Sequence, residues 1–73
     1  MRLPDEYERR ERLRADVYAR SGRAEAAIAL LRELVERDPT ARAVWQDLAF
    51  GLLATGRPEA ADRALAEAVG QIP

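Results

Sequence analysis

The chain has 73 residues, with 12 Arg+Lys against 13 Asp+Glu, a formal charge of −1, no Cys and no His. That length holds one small domain, which buries only roughly 60% of its unfolded surface. Missing Cys and His exclude thiol and imidazole catalysis, disulfides and zinc-type sites. The balanced charge argues against a general nucleic-acid binder.

No stretch approaches the ~20 apolar residues of a transmembrane helix, so no membrane partner is expected. The opening Met-Arg-Leu-Pro-Asp-Glu carries no apolar core of a secretory signal, which makes a cytoplasmic location the expectation. All twelve basic residues are Arg, and fifteen residues are Ala. Ala, Arg, Leu and Glu are strong helix formers, so helix is favoured almost throughout. Residues 1–39 hold nine Arg and nine acids, whereas residues 40–73 hold three and four. The two halves should therefore present different surfaces.

Pro4, Asp5 and Glu6 make a helix start, with proline in the first turn and acids at the positive end of the dipole. Ser21-Gly22 stops that helix, Gly22 being free to take a left-handed cap. A second helix is predicted from about Arg23 to Arg37. Pro39 ends it by disfavouring helix at the residue before it. A third runs from about Ala41 to Ala54, with Thr40 as N-cap. Thr55-Gly56 closes it, and Pro58 opens a fourth that runs to about Gln71. Four helices joined by turns this short imply antiparallel neighbours.

Shifting the sequence by 34 residues superimposes residues 8–39 on 42–73 with ten identities in 32 positions. They are Ala15/Ala49, Gly22/Gly56, Arg23/Arg57, Glu25/Glu59, Ala26/Ala60, Ala27/Ala61, Leu31/Leu65, Glu33/Glu67, Val35/Val69 and Pro39/Pro73. Abundant Ala inflates the count, but it does not explain a Gly and a Pro recurring together in register. Small residues (Ala15, Ala27, Ala49, Ala61) allow close helix approach, and larger ones fill the gaps. The expected core is Val17, Tyr18, Ala27, Ile28, Leu31, Leu34, Trp45, Leu48, Ala49, Leu52, Ala61, Leu65 and Ala68.

A 34-residue helix-turn-helix repeat with this punctuation resembles the tetratricopeptide repeat. Trp45, Leu48, Ala49, Leu52, Gly56, Ala61, Leu65, Ala68 and Pro73 stand at that family's positions in the second repeat. Ala15, Tyr18, Gly22, Ala27, Leu31 and Pro39 do so in the first, where Glu11 and Arg14 replace the Trp and Leu. The resemblance implies an all-α fold of four helices in two antiparallel helix-turn-helix repeats, forming a short right-handed α-solenoid. Residues 1–7 lead in, 8–41 form repeat one and 42–73 repeat two. It also implies a non-catalytic module that binds a protein or peptide without a cofactor. The groove would be lined by the first helix of each repeat, at Arg9, Arg12, Asp16, Ala19 and Arg20, then Ala43, Gln46, Phe50, Leu53 and Ala54.

Catalysis has little to stand on. Ser21, Thr40 and Thr55, the aliphatic hydroxyls, fall at helix ends, where capping is their ordinary task, and no His or Lys is present to activate them. The run Glu8-Arg9-Arg10-Glu11-Arg12-Leu13-Arg14 reads as a solvated face whose acids offset its cations, although a phosphate or acidic peptide is the alternative ligand. Some members of the family grip a C-terminal carboxylate with a Lys/Asn/Arg clamp. Here Arg12, Asp16 and Asp47 occupy clamp-like places, and the two acids would repel a carboxylate.

Trp45, Leu48 and Leu52 point to one face of the third helix, and Phe50 and Leu53, three apart, to another. A helix apolar nearly all round is buried on both sides, so either Phe50 packs inside the fold or that side takes a partner. Leu65, Val69 and Ile72 on the last helix should be partly exposed, since no capping helix follows. A homodimer would cover them. Three readings therefore stand side by side: a groove-binding module, a self-associating scaffold, and an accessory segment of a larger enzyme or secretion or assembly protein. Nucleic-acid binding by a related helical repeat is disfavoured by the absent Lys.

Overall fold

The structure is a computed structural model and describes residues 5–73. Four helices follow in order: α1 (Glu6–Arg20), α2 (Ala24–Arg37), α3 (Arg42–Ala54) and α4 (Pro58–Gln71). No strand interrupts them among the described residues. Helix α1 packs on α2, α3 on α4, and α2 on α3. Two helix hairpins thus join through the α2–α3 seam into a slab 33 × 29 × 15 Å. A body 15 Å thick is little more than two helices deep, so its core depends on small residues at the crossings.

Local chemistry sets the boundaries. The Asp5 side chain accepts from the Glu8 N–H at 2.7 Å and caps α1; Pro4, expected in the first turn, lies outside the described residues. The two tight turns are built alike. Gly22 (φ 81°) and Gly56 (φ 76°) hold left-handed backbone. Arg23 N–H donates to Tyr18 C=O, and Arg57 N–H to Leu52 C=O, both at 2.8 Å. With Gly22 bonded to Ala19 and Gly56 to Leu53, each turn is a Schellman closure. The repeated Gly is thus a backbone requirement.

Thr40 does not cap α3. Ala41 is the N-cap, and no side chain bonds there. The Thr40 N–H and hydroxyl both donate to Asp38 Oδ1, at 3.0 and 2.6 Å, an aspartate-centred turn that satisfies the linker instead. Ala41 is buried, so the chain enters α3 already packed.

The core holds Ala27, Ile28, Leu31, Leu34, Trp45, Leu48, Ala49, Leu52, Ala61 and Ala68 as expected from the pattern, and adds Ala15, Leu30, Val35, Ala41, Val44 and Ala64. Burying a side chain such as Leu48 or Leu52 is worth about 1.5–3 kcal/mol. Trp45 donates its indole N–H to the Pro39 carbonyl at 2.8 Å, which ties the α2–α3 linker to the core. Tyr18 is half-buried and packs against this cluster.

Two expected core residues are not in it. Val17 is 56% exposed and Leu65 is 43% exposed. Each sits on the outer side of its hairpin, where no helix among the described residues packs. Their counterparts 34 residues on or back, Gly51 and Leu31, lie instead at the α2–α3 seam. Glu8 departs the other way: it is 2% exposed, although the pattern of its charged run predicts a solvated face. No buried side-chain N or O atom among the described residues lacks a hydrogen-bond partner.

Candidate functional site

Arg12 Nε donates to Asp47 Oδ2 at 2.8 Å, which sets α1 and α3 side by side. Their shared outer face carries the expected groove residues. Arg9, Asp16, Arg20, Gln46, Phe50 and Leu53 are exposed, and Arg12 is half-buried. Phe50 is 75% exposed, so it does not pack inside the fold. The opposite face of α3 is closed by Val44, Trp45, Leu48, Ala49 and Leu52. The helix is apolar on both sides, yet only one side is covered.

The charges on this face are already engaged in part. Besides the Arg12–Asp47 bridge, Arg20 Nε pairs with Asp16 Oδ2 at 2.8 Å, one turn away on α1. Arg12 has Glu8 at i,i+4 on its own helix, yet its ion pair is with Asp47 on α3. This bridge also occupies the guanidinium of the clamp-like set, and places an acid where an incoming carboxylate would lie. Glu11 pairs with Arg14 as its spacing suggested, at 3.4 Å. The pKa of the Arg14 guanidinium is raised by the Tyr18 hydroxyl that accepts from it, and by Glu11; an Arg is charged at every working pH, so no switch results.

The hydroxyls have structural partners. Ser21 donates to the Tyr18 carbonyl, and Thr55 to those of Gly51 and Leu52, all at helix C-termini with open carbonyls. Among the described residues no group of three or more His, Cys, Asp or Glu could hold a metal ion, and no helix is long and apolar enough to cross a membrane.

Two further concavities are present. One is a shallow cleft between α2 and α4, floored by Trp45, Leu48 and Ala64 and walled by Arg32, Glu36, Arg63 and Glu67. Its walls carry opposite charges four residues apart, a spacing common to any solvated helix, so no sequence signal marks the cleft. The other lies at the outer edge of the second hairpin, where Leu65, Val69 and Ile72 face Arg42 and Gln46. Leu65 and Val69 are exposed and Ile72 half-buried, as expected for an uncovered last helix. A matching apolar pair, Leu13 and Val17, is exposed on α1. The one sequence signal for their shared stripe is the spacing of four residues; their exposure follows from which side of α1 faces α3.

A family model described as Tetratricopeptide repeat matches residues 18–73, well over half of the chain. Neither the curated proteins nor the solved structures compared with the chain include a match. The matched span contains both Schellman turns, Trp45 and the α2–α3 seam, the features that make the two hairpins one repeat used twice. With four helices in two hairpins and this match, the chain belongs to the tetratricopeptide repeat family, generally protein-interaction modules.

Proposed function

We propose that the chain is a non-catalytic, cytoplasmic interaction module that takes a peptide or protein segment on the α1–α3 face. The observation carrying this reading is Phe50, three-quarters exposed on a helix whose other face is closed. Phe50 and Leu53 form the apolar contact, and Gln46, Arg9, Arg12, Asp16 and Arg20 the polar rim. The Arg12–Asp47 and Arg20–Asp16 pairs leave that rim nearly neutral, which favours an apolar anchor over a strongly charged ligand. Neither a nucleic acid nor a lipid surface fits such a rim.

A peptide library screened against the wild type and Phe50→Asp tests the reading. Because Phe50 is exposed, the variant keeps its fold, which a helical circular dichroism melt verifies. Binding by the wild type that drops at least tenfold in Phe50→Asp is expected. Equal binding by both proteins removes the groove.

The second reading, self-association, is favoured by Leu65 and Val69, which are exposed beside Ile72 on the outer face of α4. A second copy of the chain is the partner this reading requires.

A further inference from the structure

We infer that copies of this chain associate head to tail, the α1 face of one copy docking on the α4 face of the next as a repetition of the internal α2–α3 seam. This rests on the self-association reading and specifies its geometry.

The internal seam is the template. On α2 Ile28, Leu31 and Val35 lie within about 60° of one another round the helix and are all buried. A Cβ on Gly51 would lie 3.4 Å from Ile28 Cγ1, so α3 sits against this row. At the edge of the seam Arg57 pairs with Glu25. Each of these residues has a counterpart 34 positions away. On α4 they are Asp62, Leu65 and Val69, which with Ile72 form a stripe spaced three and four apart, beside a groove. On α1 the counterpart of Gly51 is Val17. Val17 and Leu13 lie about 140° and 100° round the helix from Arg12, whose partner Asp47 is on α3; they face away from α3, toward the other end of the molecule.

Each copy thus carries both halves of the seam, unpaired. The edge charges are complementary: Glu59 stands where Glu25 does, and Arg23 where Arg57 does. Applying the internal register to two copies sets Glu59 of one against Arg23 of the next. The Arg23 guanidinium already lies over the Tyr18 ring at 5.0 Å, held at the end that would meet Glu59.

The seam between copies is weaker than the internal one. Asp62 replaces Ile28 opposite Val17, and Arg10 replaces Val44. Leu13 replaces Asp47, so the Arg12–Asp47 bridge has no counterpart. Reversible, concentration-dependent association is the consequence. A heterologous contact of this kind does not close after two copies, so the assembly grows past a dimer.

Sedimentation equilibrium of the 73-residue chain from micromolar to millimolar concentration tests this, with Val17→Glu and Val69→Glu as variants. Both positions are exposed in the monomer, so both variants fold, checked by thermal melts. The expected results are a wild-type average mass that climbs beyond a dimer, monomers for each variant alone, and a 1:1 dimer when the two are mixed. The mixture succeeds because Val69→Glu retains an intact α1 face and Val17→Glu an intact α4 face. Glu59→Arg should weaken assembly about two- to fivefold, and adding Arg23→Glu should restore it. A wild type that stays monomeric at every concentration overturns self-association itself. Assembly abolished by Val69→Glu, retained by Val17→Glu and not rescued by mixing points to a two-fold α4–α4 contact, which overturns only the head-to-tail geometry.

Discussion

Leu31 and Leu65 are the same residue at the same place in the repeat, yet one is 4% exposed and the other 43%. Val35 and Val69 differ further, the first buried and the second 80% exposed. The helices that carry them have the same length and follow the same Schellman turn. What differs is the neighbour: α3 covers this face of α2, whereas no helix among the described residues covers the corresponding face of α4, whose opposite face packs on α3. A repeat pattern therefore specifies which side of a helix is prepared for packing. It does not specify that the packing occurs, because burial is a property of the pair.

The largest effect that should separate the two seams comes from substituting these twins. Leu31→Ala should cost about 2–5 kcal/mol through lost burial and a cavity. Leu65→Ala should cost under about 1 kcal/mol, since much of its surface is already in water. Urea unfolding of dilute protein measures both; equal losses would break the comparison. A polar residue sharpens it. Val35→Asp buries an unpaired carboxylate and should leave the chain largely unfolded. Val69→Asp should melt within about 0.5 kcal/mol of wild type.

Smaller effects test where the repeats are alike. Gly22→Ala and Gly56→Ala each force a Cβ into left-handed backbone, and should each cost about 1–2 kcal/mol. Unequal costs would show that one turn is strained by its surroundings, since neither added Cβ meets a neighbour within 4 Å. The Arg57–Glu25 ion pair is largely exposed, so Glu25→Gln should change stability by less than about 1 kcal/mol, and less still in high salt. The test is the same unfolding curve at two ionic strengths.

Much of the fold was legible because its determinants are local. Gly22, Gly56 and Pro58 mark helix boundaries through backbone sterics that operate within a few residues. The 34-residue register then paired the hairpins and placed Trp45, Leu48, Ala49 and Leu52 in the core. Thr40 departs from its expected capping role because a capping hydroxyl and a turn hydroxyl look identical in sequence; Asp38, two residues earlier, competes for it. Spacing within α1 is calculable and sets Arg12 one turn from Glu8, but its bond to Asp47 depends on how α3 lies against α1.

The candidate surfaces were legible in composition and less so in arrangement. Phe50 and Leu53 were visible as a second apolar side of α3, but a second side is consistent with burial or exposure. The exposure of Leu13 is not legible in the sequence, because its surroundings depend on which flank of α1 receives α3. By itself the sequence determined helix content, boundaries, the repeat and the residues prepared for contact, all of which follow from interactions spanning a turn or two. Only the tertiary structure decided which prepared contacts are made. That depends on the order in which hairpins stack, and among the described residues stacking in one direction leaves Val17 at one end and Val69 at the other exposed.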